Sequence, residues 1–168
     1  MSKERYVRVH TQMRKEFSMS AYGKAALRAV ELLRRGAFDM PQDAWKAAVS
    51  EQYLHSTSAQ AKGCPRSAFL GLCSSGAISG VPAGDYTRSK KNKNYALRAV
   101  EILQDAPLLA NNHADLWAEV IGGAHKTANH QMEIVTSLWF NGDLVRRPVA
   151  KRAQFEEFAL TDRQARAS

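Results

Sequence analysis

Apolar residues recur with helical spacing in two segments of the chain that are nearly copies of each other. Ala26, Ala29, Val30 and Leu33 are spaced i, i+3, i+4 and i+7, and the same spacing returns between positions 96 and 103. The six letters A-L-R-A-V-E are identical in the two segments, at an offset of 70 residues. Since this period places apolar side chains on one helical face, the pattern predicts two amphipathic helices.

The similarity between the two segments continues downstream. The stretch D-A-W-K-A-A-V, which begins at Asp43, resembles D-L-W-A-E-V, which begins at Asp115. Residues 62–76 and 126–142 form a looser third pair, because each is apolar in its second half and ends at a glycine. The order of the three pairs predicts a duplicated three-helix unit. We therefore expect an all-α domain of six or seven helices, built from two similar halves that resemble helix-turn-helix modules.

Glycine and proline residues mark the ends of the predicted helices. Gly36 and Gly76 are placed to end the first and third helices, while Pro41 and Pro65 are placed to open the second and third. The expected halves are residues 21–76 and 93–142. Residues 77–92 link them as a glycine-rich connector, which can hold a short β-hairpin with Ile78 and Val81 against the core.

The predicted globular domain, residues 21–145, is flanked by a basic arm at 1–20 and by a helix or tail at 146–168. No apolar run approaches the roughly 18–20 residues that a membrane-spanning helix needs, and the first residues lack the apolar stretch of a signal peptide. The 2 cysteines do not form a disulfide framework. These features predict a cytoplasmic protein without a membrane partner.

Positive charge is concentrated in one short stretch. The chain has a formal net charge of +8, and five basic residues without any acid lie between Arg88 and Arg98, which leaves +3 for the rest. Lysines just ahead of a helix oppose its dipole at a cost of about 0.3–1 kcal/mol each. The first copy has a neutral lead-in, with Ser20 as a candidate cap, so the fold does not require cations there.

A helix start rich in N–H donors and cations suits a phosphate group. We therefore expect a non-enzymatic, nucleic-acid-binding or accessory protein that contacts the backbone of DNA or RNA. The predicted contacts are Lys62, Arg66, Arg88, Lys90, Lys91, Lys93 and Arg98. Two alternatives stay open: a solvated charged loop, and a subunit that docks an acidic protein or a small phosphorylated ligand.

The sequence offers one candidate for enzymatic chemistry. Cys64 precedes a predicted helix start between Lys62 and Arg66, surroundings that favour a reactive thiolate. No general base can be assigned to it, because the five histidines are scattered along the chain. Zinc-ligand spacings and phosphate-binding glycine loops do not occur either. We predict no catalytic residue, no metal ion and no cofactor.

The central stretch from K-G-C-P-R to L-R-A-V-E-I-L, together with the two L-R-A-V-E helices, resembles a family of small bacterial domains of unknown function. The resemblance covers roughly Tyr22 to Asp143. It implies a bacterial or phage source and transfers no catalytic residue.

Overall fold

Six helices of at least nine residues follow one another along residues 19–145, the part of the chain described by this computed structural model. They are α1 (Ala21–Arg34), α2 (Pro41–Gln52), α4 (Gly63–Ser74), α5 (Lys90–Asp105), α6 (His113–Ile121) and α7 (Gln131–Asn141). A four-residue turn, α3 (Thr57–Gln60), and a 3-10 segment (Pro107–Asn111) complete the order. No β-strand occurs between residues 19 and 145, so the all-α prediction is confirmed.

The predicted C-terminal helix or tail at 146–168 lies outside the described residues, as does the N-terminal arm apart from Met19 and Ser20. Within the described part, no helix combines the length and the apolar character needed to cross a bilayer.

The predicted roles of glycine and proline at the helix ends and starts are confirmed. Gly36 and Gly76 follow α1 and α4 with φ values of +69° and +65°, a region that an L side chain rarely adopts. The N–H of Gly76 bonds to the carbonyl of Cys73, at 3.0 Å, which closes α4. Pro41 is the first residue of α2, where its missing N–H costs nothing, and Pro65 lies in the first turn of α4.

One hydrophobic core extends through all six long helices. Trp45 and Phe69 stack within it, with ring centroids 5.2 Å apart. Trp117 is also buried, while Trp139 packs against the core but is only partly buried. The second and third predicted helices of each half therefore supply core residues, as their apolar stripes predict.

The third helix of each predicted half packs on the first helix of the other half. α4 packs extensively on α5, and α7 packs extensively on α1. At the first crossing, a Cβ on Gly71 would lie 2.6 Å from the Cα of Lys93. At the second crossing, a Cβ on Gly23 would overlap the hydroxyl of Ser137. A glycine thus allows close approach at both crossings. The internal repeat itself stays a prediction, and reciprocal packing is what such a repeat would produce.

The predicted β-hairpin in the connector is wrong. Ile78 and Val81 are buried as expected, but the backbone around Ile78 pairs with the chain that follows α7. Ser79 donates its N–H to the carbonyl of Asp143, and Val145 donates to the carbonyl of Ala77, both at 2.8 Å. The pairing partner is therefore distant in sequence, and it satisfies the backbone groups that a local hairpin would have used.

Candidate functional site

The start of α5 carries exposed lysines and lacks a side-chain cap. Lys90 and Lys91 are exposed in its first turn, which contains no acidic residue. Ser89 accepts a hydrogen bond from the side chain of Asn92, at 3.1 Å, and caps no backbone N–H. Within residues 19–145, the N–H groups of Lys91 and Asn92 find no acceptor. In the first copy, by contrast, the hydroxyl of Ser20 caps the N–H of Gly23 at 3.1 Å, as predicted.

The starts of α5 and α7 meet at this point, and Lys62, which precedes α4, reaches the start of α7 with its side chain. Lys62 precedes α4 and His130 precedes α7, and their Nζ and Nε2 atoms lie 3.1 Å apart. Gln131, the first residue of α7, donates its side-chain N–H to Asn92 in α5, also at 3.1 Å. None of the three helices has a side-chain cap, and neither does α2, whereas Ser20, Ser56 and Asn112 cap α1, α3 and α6. The backbone donors and positive dipole ends of α5 and α7 thus lie side by side.

The predicted contact residues do not all lie at this meeting point. Lys62, Arg88, Lys90 and Lys91 lie at or beside the starts of α4 and α5, and Arg66 is exposed in the first turns of α4. Together with Lys93, they form what we term the basic surface.

Lys93 and Arg98 are more constrained than the other predicted contacts. The stem of Lys93 lies along Gly71 of α4. Arg98 is partly buried two turns further along α5, with Nη2 3.8 Å from the Cβ position of Gly122 at the end of α6. A guanidinium there complements the negative end of α6. Arg98 therefore has a structural position in the fold and is not included in the basic surface.

The charges of the basic surface are not neutralised within the described residues. The arginine–carboxylate ion pairs between residues 19 and 145 engage Arg28, Arg34 and Arg35, and none engages a cation of the basic surface. A groove along α1 also contains several cations, but there Arg28 pairs with Glu51 and Arg34 with Asp143. Unpaired positive charge thus distinguishes the helix starts from the other basic region.

A cluster of titratable side chains adjoins the basic surface, and the sequence analysis missed it. His130 Nδ1 lies 2.9 Å from a carboxylate oxygen of Glu133, and its ring packs on Tyr22 with centroids 4.6 Å apart. Tyr53 packs in turn on Tyr22, at 4.7 Å. The residues come from three separate segments, so no local spacing in the sequence indicates the whole cluster.

Burial raises the pKa of both tyrosines in this cluster. Desolvation raises the pKa of Tyr22, and it raises the pKa of Tyr53 to about 12, with a smaller contribution from neighbouring Tyr22. Both phenols therefore stay neutral at physiological pH.

The two cysteines differ in their surroundings. Cys73 is fully buried, and desolvation raises the pKa of its thiol to about 12. Cys64 is partly exposed in the first turn of α4, and no imidazole or carboxylate among residues 19–145 is hydrogen-bonded to it. Over the same residues, no three side chains of His, Cys, Asp or Glu are grouped closely enough to hold a metal ion.

Comparison with known proteins identifies a family and no activity. Residues 19–145 match the model of DUF6979, described as a family of unknown function. The match spans most of the chain, so the protein belongs to this family, and the resemblance to a family of unknown function is confirmed. No curated protein and no solved structure matches the chain.

Proposed function

We propose that this member of DUF6979 binds the phosphate backbone of DNA or RNA through the basic surface. The observation that carries the proposal is the meeting of the uncapped starts of α5 and α7 beside cations that no carboxylate of residues 19–145 neutralises. Phosphate oxygens accept hydrogen bonds from backbone N–H groups and from lysine and arginine, so they satisfy both kinds of donor at once.

The energetics of α5 support this proposal. Lys90 and Lys91 lie in the first turn, where each opposes the helix dipole by about 0.3–1 kcal/mol, and no acid offsets them there. In α1 the first three positions, Ala21 to Gly23, carry no lysine, Lys24 comes only at the fourth, and Ser20 provides a cap. These lysines weaken the helix that carries them, and a requirement for them in ligand binding explains why they are present.

The buried state of α4 and α7 favours backbone contact over reading of base sequence. A recognition helix must present side chains to the major groove. Most residues of α4, and eight of the eleven in α7, are buried in the core. We therefore expect binding with little sequence preference and a strong dependence on salt.

Charge reversal at the helix start tests the proposal. Lys90→Glu with Lys91→Glu changes two exposed side chains and spares Lys93, whose stem lies along Gly71. The matched control is Lys24→Glu with Lys46→Glu, which makes the same change in net charge at exposed positions of α1 and α2. Fluorescence anisotropy with short duplex DNA and single-stranded RNA, from about 50 to 200 mM salt, measures the affinity.

We expect the first pair to weaken binding at least about tenfold and to reduce the slope of log K against log salt by about two. The control pair should change the affinity much less. Equal losses in both pairs would mean that net charge alone drives binding. Unchanged affinity in the first pair, or no binding by the wild type, would refute the proposal.

A further inference from the structure

We propose that protonation of His130 controls phosphate binding at the basic surface. While its imidazole is neutral, His130 accepts a hydrogen bond from Lys62. Once the imidazole is protonated, His130 and Lys62 bind phosphate together. This inference rests on the proposed function and specifies how that site is regulated. It is carried by a chain of three side chains, Glu133, His130 and Lys62, linked at 2.9 Å and 3.1 Å.

The hydrogen bonds define the neutral state of the imidazole. A carboxylate can only accept, so the Nδ1 atom beside Glu133 carries the ring proton. The Nε2 atom is then an acceptor, and it receives a hydrogen bond from the ammonium of Lys62. In this state the lysine is engaged with the protein, and one cation of the basic surface is not free to reach a phosphate.

Protonation reverses the role of Nε2. The charged imidazole donates at both nitrogens, so Nε2–H and the ammonium of Lys62 repel each other, while the bond to Glu133 is strengthened. A phosphate oxygen near both groups accepts from both. The same proton thus releases Lys62 and adds a second donor for the anion.

The groups that face His130 have opposing effects on its protonation, so a bound ligand can shift the balance between the neutral and the charged imidazole. Glu133 on α7 favours the protonated form, and Lys62 at the start of α4 opposes it. Tyr22 of α1 packs on the ring, with Tyr53 behind it, and both are neutral phenols whose pKa is raised by burial. The side chains of His130 and Glu133 are 32% and 22% exposed, so protons from solvent reach them. A bound phosphate offsets the repulsion from Lys62 and shifts the balance towards the protonated ring.

An NMR pH titration of the full chain tests this inference directly. The imidazole signals of His130 are assigned by comparison with His130→Gln and followed alone, with the oligonucleotides used above, and with inorganic pyrophosphate. We expect each ligand to move the midpoint of the His130 titration upward by about one pH unit, which corresponds to a tenfold gain in proton affinity. His125, exposed in the same interhelical loop, is the internal control and should not move.

Binding measurements provide the second readout. At constant salt, affinity for the oligonucleotides should be about fivefold higher near pH 5.5 than near pH 7.5, because protonation of His130 adds a donor for phosphate. His130→Gln should abolish this ratio, and Glu133→Gln should reduce it because the charged ring loses its carboxylate. The control His125→Gln should retain the full ratio. Circular dichroism at both pH values verifies that each variant is folded.

The two proposals fail in different ways. Oligonucleotide binding with the same pH ratio in the wild type and in His130→Gln would overturn the role of His130 and leave the proposed function standing. Absence of oligonucleotide binding, with a midpoint shift caused by pyrophosphate, would overturn nucleic-acid binding and support His130 as a ligand for a small phosphorylated compound. If neither probe shifts the midpoint, the inference is wrong.

Discussion

At the scale of single residues, two glycines decide how closely the helices approach. Gly71 lets α4 lie directly on the backbone of α5, because a Cβ there would sit 2.6 Å from the Cα of Lys93. Gly23 allows α1 to approach α7, where a Cβ would meet the side chain of Ser137. Backbone atoms cannot move aside as a side chain can, so the two sites differ in what they tolerate.

Gly71→Ala is therefore expected to destabilise the protein by about 2–3 kcal/mol, and Gly23→Ala by about 1–2 kcal/mol. Adding Ser137→Ala should partly rescue Gly23→Ala, since it removes the hydroxyl nearest to the new methyl group. That hydroxyl is buried without a hydrogen-bond partner among residues 19–145, so its loss leaves no group unsatisfied. Urea unfolding followed by circular dichroism measures all three effects. A Gly71→Ala protein as stable as the wild type would contradict the crossing geometry.

His113 links the stability of the fold to pH. Burial lowers the pKa of His113, an effect that the nearby charge of Glu133 only partly offsets, and its Nε2 lies 2.9 Å from the hydroxyl of Thr136. The unfolded chain therefore binds this proton more readily than the folded chain does. Neutral His113 therefore makes its full contribution to the free energy of unfolding above the ordinary histidine pKa of about 6.5. That contribution is lost as the pH falls below this value.

We thus expect the free energy of unfolding to fall more steeply between about pH 7 and pH 5 in the wild type than in His113→Gln. Urea titrations at several pH values give the two slopes, and His55→Gln, at an exposed position, is the control. Parallel curves for the wild type and His113→Gln would show that another group governs acid stability.

At the scale of the helices, α5 combines a predictable feature with one that the sequence conceals. Its apolar face and its leading lysines follow from local spacing and charge, because both depend on neighbours within two turns. The contact of its start with Gln131 joins residues 39 positions apart, and the neighbouring contact of Lys62 with His130 joins residues 68 positions apart. The wrong hairpin has the same cause, since the backbone of Ser79 bonds to Asp143.

The lysines of α5 give a prediction that separates stability from binding. Lys90→Glu with Lys91→Glu should stabilise the fold by about 0.3–1 kcal/mol for each substitution, because acids complement the positive end of the helix. The same substitutions are expected to weaken binding to nucleic acid. Thermal unfolding gives the stability, and anisotropy measured on the same preparation gives the affinity. A loss of stability together with a loss of binding would indicate that the variant had damaged the fold instead.

At the scale of the whole molecule, the two predicted halves depend on each other. α4 packs on α5 and α7 packs on α1, so each half completes the core of the other. Within the halves the packing is weaker, because α7 packs less extensively on α5 than on α1, and α4 packs mainly on α5 and not on α1. The predicted division at residues 77–92 therefore marks a connection in the chain and does not separate two folding units.

We expect heat or urea to unfold the protein in one cooperative transition, with coincident curves from tryptophan fluorescence and from circular dichroism. A fragment of residues 19–80 should not fold alone, because α1 and α4 would expose the faces that α7 and α5 cover. Two separate transitions, or a helical fragment with a cooperative melt, would contradict this interdependence.

The paired crossings also restrict how relatives of this protein can vary. Each crossing has room for one small residue, which α4 provides at Gly71 and α1 provides at Gly23. A relative with a larger residue at position 23 would need a smaller one at position 137, so these two sites should change together in evolution. Position 71 faces main-chain atoms, for which no compensating substitution exists, and glycine should therefore be invariant there.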